Sequence, residues 1–77
     1  MIFLKLNELN AAPVIINLAQ VEMVTPITGS RAKLWFSVDG EDAMEVEESL
    51  EDITEMINAA MSYPGVVSKE NVAAVVR

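Results

Sequence analysis

From Met1 to Glu47 the chain alternates apolar and polar positions with the two-residue period of half-buried strands. Ile2, Leu4 and Leu6 fall opposite Phe3 and Lys5, which predicts a first strand over residues 1–7. Asn7 to Pro13 reads as a turn. Val14 to Leu18 is the second strand, with Val14, Ile16 and Leu18 inward and Ile15 on the other face. After a break at Ala19-Gln20 a third strand runs from Gln20 to Thr25, and Pro26 to Ser30 reads as a loop. Arg31 to Val38 is the clearest strand: Ala32, Leu34, Phe36 and Val38 share one face, and Lys33, Trp35 and Ser37 the other. Asp39-Gly40 signals a hairpin, and Ala43 to Glu47 returns as the last strand with Met44 and Val46 inward.

The period then changes from two to about 3.6. Ser49 stands as N-cap, with Glu51 and Asp52 in the first turn, where acids complement the helix dipole. Leu50, Ile53, Ile57, Ala60 and Met61 recur at helical spacing, with Met56 beside them. Tyr63-Pro64-Gly65 ends the helix. One face of it is apolar and requires cover, and the sheet before it requires a lid. The expected fold is therefore α+β: a small antiparallel β-meander of four to five strands covered by one amphipathic helix, with a short C-terminal segment. Residues 1–62 form the meander-plus-helix domain. Residues 63–77 form an extension, read as a short helix after a Ser68 cap, that packs on the domain or on a neighbouring subunit.

Composition narrows the chemistry. The 77 residues include no cysteine and no histidine, so disulfides, thiol chemistry and histidine-based triads are absent. No glycine-rich phosphate loop occurs. The chain reads as a non-enzyme without cofactor or metal. Twelve acids against 5 bases give a formal charge of −7, which opposes direct binding to nucleic acid and to anionic membrane surfaces. No apolar run has spanning length, and Met1-Ile2-Phe3-Leu4 carries no basic leader, so the expected location is cytoplasmic. An apolar fraction of 52% is high for so small a body, which argues for a homo-oligomer.

Two groups of residues are candidates for contact. Trp35, Phe3 and Ile15 fall on the outer face of the strands, as a protein-contact patch. Self-association is the favoured occupant, because homo-oligomers are the commonest use of such a patch. Glu45, Glu47, Glu48, Glu51, Asp52 and Glu55 form an acidic surface. Its plainer reading is a solvated helix face beside a charged hairpin; its sharper one is a cation site or a mimic of nucleic acid. Asp39-Gly40-Glu41-Asp42 does not have the spacing of an EF-hand loop.

Met1-Ile2-Phe3-Leu4-Lys5-Leu6-Asn7, the centre Ile16 to Val24, the Asp39-Gly40 turn and the run Val46 to Ile53 carry a pattern. It resembles that of the small flagellar proteins of the FlbD (SwrD-like) family, over residues 1–58. Glu8 stands where that family carries glycine, and Asp39 where it carries asparagine. The resemblance implies a non-enzymatic accessory protein of bacterial motility. Small meander-plus-helix proteins of phage share the same grammar. Residues and resemblance together give a self-associating interaction protein, bacterial or phage-derived. The alternative is an acidic mimic or inhibitor of a basic, nucleic-acid-binding partner.

Overall fold

The computed structural model describes residues 1–36 and 42–72. Among them are β1 (Phe3–Asn7), β2 (Pro13–Asn17), β3 (Met23–Ile27), β4 (Arg31–Trp35), β5 (Ala43–Val46), α1 (Leu50–Ala60) and β6 (Val66–Ser68). The described residues form an α+β fold with α1 over the strands. The strands form two three-stranded sheets, in the orders β2-β1-β6 and β3-β4-β5, instead of one meander. All neighbours are antiparallel except β1 and β6, which run parallel.

The two sheets are joined where β1 ends. Glu8 bridges Val46, the Leu9 N–H donates to the Glu45 carbonyl at 2.9 Å, and the Glu47 N–H donates to the Asn7 carbonyl at 2.8 Å. The end of the first strand thus runs antiparallel beside the end of the fifth. Asn10, in the turn that follows, takes φ 60°, a left-handed value that asparagine tolerates better than most residues. Gly29 (φ 83°) and Ser30 (φ 58°) make the turn between β3 and β4.

The strand expectations hold on β1, β2, β4 and β5, with inward Leu4, Leu6, Ile16, Ala32, Leu34 and Val46 all buried. Two details differ. Leu18–Gln20 forms one turn of 3-10 helix, so the third strand starts at Met23. That strand also continues through Pro26 to Ile27, where a loop was expected, because β3 is an edge strand and an edge can accommodate a missing N–H. The expected continuation of β4 to Val38 and the Asp39-Gly40 hairpin lie outside the described residues.

Ser49 caps α1 as expected. Its hydroxyl accepts from the Asp52 N–H at 3.0 Å, and the Asp52 carboxylate accepts from the Ser49 N–H at 3.1 Å, a complete capping box. The helix buries Ile53, Met56, Ala59 and Ala60 against β1, β3 and β6. Met61, expected on that face, is 74% exposed because the helix ends at Ala60 and the chain turns away. The tail opens on a strand that the alternation did not reveal. Val66–Ser68 is not helical but a strand, because pairing with β1 satisfies its backbone and buries Val67 completely. Ser68 still acts as a cap: its hydroxyl accepts from the Asn71 N–H, and its own N–H donates to Asn71 Oδ1 at 2.8 Å. The C-terminal segment therefore supplies a sheet strand to its own domain. The helix expected after Ser68 falls largely on residues 73–77, which lie outside the described residues.

Candidate functional site

The acidic run does not form one surface. Glu45, Glu47, Glu51 and Glu55 are exposed, along the outside of β5 and the outer face of α1. Glu48 is not a surface residue; only 2% of it is accessible. Its carboxylate accepts from the Asn7 backbone N–H with both oxygens, at 3.0 and 3.2 Å, and from Asn7 Nδ2 at 2.7 Å. Burial of a carboxylate is tolerable because its oxygens find donors. The clasp ties the end of β1 to the junction between β5 and α1. Its signal lay in the alternation: Met44, Val46 and Glu48 share one parity, and the first two point inward.

Asp52 is half-buried and committed to structure. Besides its place in the cap, it pairs with Lys69 Nζ at 3.1 Å, which links the first turn of α1 to the residue after β6. The hydrogen bond from the Ser49 backbone, with the Lys69 contact behind it, holds the Asp52 carboxyl below its ordinary value against the opposing effect of burial. Asp52 is thus a capping and pairing residue more than a member of a free acidic stripe. Among the described residues, no three His, Cys, Asp or Glu side chains gather where they could hold a metal ion.

The expected Trp35–Phe3–Ile15 patch is divided between the two sheets. Phe3 and Ile15 lie on the outer face of the first sheet, around Lys5, which pairs with Ile15 in the β1–β2 register. Ile15 is 61% exposed and Phe3 is half-buried. Trp35 lies on β4, in the second sheet. It has partners of its own there: the indole Nε1 donates to Thr25 Oγ1 at 3.0 Å on the adjacent strand, and Lys33 Nζ sits 4.3 Å from the ring centroid.

A feature that the alternation did not reveal lies at the C-terminal end of α1. Met1, Ile2, Ala60, Met61, Tyr63 and Pro64 line a shallow groove of about 540 Å³. A smaller depression of about 360 Å³ adjoins it through the shared Met1 and Ile2, with Leu18 and Ala19 on its far side. Gly65 lies close under the Tyr63 ring, since a Cβ there would fall 2.7 Å from Tyr63 Cε2. Ser62 lines the groove as well, so its wall mixes polar and apolar surface, and it offers no acid–base pair. Sequence periodicity missed it because its walls come from three separate stretches of the chain.

No helix among the described residues is long and apolar enough to cross a membrane. No protein-family model, curated protein or solved structure matches this chain significantly.

Proposed function

We propose that this chain is a non-enzymatic interaction protein that self-associates in the cytoplasm. The observation that carries the reading is Ile15, 61% exposed beside Phe3 on a sheet that has no acidic residue in any of its strands. Phe3, Ile15 and the half-exposed Val66 together bring apolar side chains to one face of that sheet, and on a chain of charge −7 an acid-free sheet is a place where two copies can approach. The resemblance to the FlbD (SwrD-like) family supports an accessory role in bacterial motility, and the small meander-like grammar suits a phage-derived protein as well. Sedimentation across a range of concentration and salt tests the self-association. A mass that rises with concentration is the expected result; one monomeric mass throughout overturns it. Loss of swimming on deletion of the gene from a motile host tests the motility role.

The exposed Glu45, Glu47, Glu51 and Glu55 favour a second reading, an acidic mimic that occupies a basic site on a nucleic-acid-binding protein. That reading requires binding that weakens steeply with salt and weakens again when these glutamates are replaced by glutamine.

A further inference from the structure

Each of the two sheets leaves two edges, and three of the four are blunted within the described residues. On β6, the Asn71 side chain covers the outer side: Nδ2 donates to the Val66 carbonyl at 3.3 Å, and Oδ1 accepts from the Ser68 N–H at 2.8 Å. On β5, residues 7–9 lie alongside, bonded to Glu45 and Glu47. On β3, Pro26 removes a donor. The remaining edge is β2.

Which backbone groups β2 turns outward follows from the ladder. The Asn7 N–H donates to Glu48 and the Asn7 carbonyl accepts from Glu47, so both point away from β2. The Leu18 N–H donates to the Ile2 carbonyl, in the same phase. Antiparallel alternation then turns Val14 and Ile16 toward β1, and leaves the N–H and C=O of Ile15, the Pro13 C=O and the Asn17 N–H on the outer edge. Among the described residues, no strand pairs with this side of β2.

We propose that the β2 edge is where a second copy of this chain pairs, antiparallel and centred on Ile15. The inference rests on the self-association reading and gives it a geometry. Centred there, Ile15 faces its own equivalent and the two exchange both backbone hydrogen bonds, while each Asn17 N–H meets the partner's Pro13 carbonyl. The proline has no N–H to waste at that register. Every side chain keeps its face: Val14 comes opposite the partner's Ile16 on the inner side, and the two Ile15 side chains meet on the outer side. The contact is isologous, so it closes at two copies and does not propagate. Charge selects the same occupant. The strands β2, β1 and β6 carry Lys5 and no acid, whereas the whole chain carries −7. Two such chains can meet at this sheet without bringing their acids together.

Amide hydrogen exchange resolved by residue, run beside sedimentation at the same concentrations, tests the pairing on the unaltered chain. The expected result is a dimer in which the Ile15 and Asn17 amides exchange slowly when concentrated and fast when dilute, with Val14 and Ile16 slow in both. Ile15→Pro removes an N–H that β1 does not use, and should weaken dimerisation by about tenfold or more, from the loss of hydrogen bonds at the centre of the seam. A dimer whose Ile15 amide exchanges fast at every concentration overturns the edge pairing and leaves self-association standing. A single monomeric mass overturns both. Protection of Ile15 that is independent of concentration means that the chain's own residues cover the edge, and overturns the pairing as well.

Discussion

Glu48 and Asn7, 41 residues apart in sequence, form a clasp in which one buried carboxylate takes both the backbone N–H and the side-chain amide of a single partner. The arrangement does two things. It satisfies an N–H that β1 turns away from β2, and it pins the place where the two sheets join, since the Asn7 carbonyl also accepts from Glu47. The chain thus uses an acid beside the helix N-cap as a structural hinge pin, one residue before the cap itself.

Removing that carboxylate leaves the Asn7 N–H without its acceptor in a part of the molecule from which water is largely excluded. Glu48→Ala should cost about 2–4 kcal/mol, the range for orphaning buried donors of a charged acceptor together with some lost packing. Asn7→Ala should cost less, about 1–2 kcal/mol, because its backbone N–H still reaches Glu48. Denaturant midpoints of the two variants check the order. Equal midpoints would mean that the backbone half of the clasp contributes nothing.

The buried stripe of α1 gives a paired test. Ile53 is 1% exposed and Met61 74%. Ile53→Asp places an unpaired charge under the helix, a cost of several kcal/mol. That exceeds the about 3–5 kcal/mol that a domain of this size without staples has to lose, so the variant should show no cooperative thermal transition. Met61→Ser should stay within about 0.5 kcal/mol of the parent, as surface changes do. A cooperative transition in Ile53→Asp would contradict the packing of α1 on the sheets.

Those two helix positions show what periodicity can and cannot convey. Ser49, Asp52 and the Ile53-centred stripe were legible because a capped amphipathic helix is specified by residues three and four apart. Met61 was misread because the stripe continues in sequence one step past the point where the helix stops. β6 was not legible, for a different reason. Three residues are too few to show a period, and the partner that makes Val66–Ser68 a strand lies more than sixty residues upstream. Glu48 was legible in principle, on the parity of Met44 and Val46, but its neighbours Glu47 and Glu51 made it look like one more solvated acid. The division of Trp35 from Phe3 and Ile15 was not legible at all. Alternation says which face of its strand a residue occupies, and says nothing of which strands share a sheet.

Asp52 makes stability depend on pH in a defined direction. Its carboxyl is held below its ordinary value in the folded chain, chiefly by the Ser49 backbone hydrogen bond and then by Lys69. The folded state therefore binds that proton more weakly than the unfolded state. The resulting stabilisation is present in full above the ordinary carboxylate value of about 4, and is lost as pH falls through the lowered value of the folded chain. The parent should exceed Asp52→Asn in thermal midpoint at neutral pH, and the gap should narrow on acidification below about pH 4. A gap that stays constant through that range would mean that the charge on Asp52 has no part in the cap.

Trp35 separates folding from assembly. Its indole is held inside the second sheet by Thr25 and lies beside the Lys33 ammonium, so its truncation removes contacts made within one chain. Trp35→Ala should cost about 1–3 kcal/mol of folding stability, from lost burial and a lost hydrogen bond. It should leave the sedimentation profile unchanged, because the pairing edge belongs to the first sheet. Thr25→Val should reproduce part of the stability loss and shift the emission of Trp35, the one tryptophan of the chain, by freeing its N–H. If Trp35→Ala instead dissociates the assembly while its thermal midpoint holds, the self-contact lies on the second sheet, and the acid-free sheet around Ile15 is not where the copies meet.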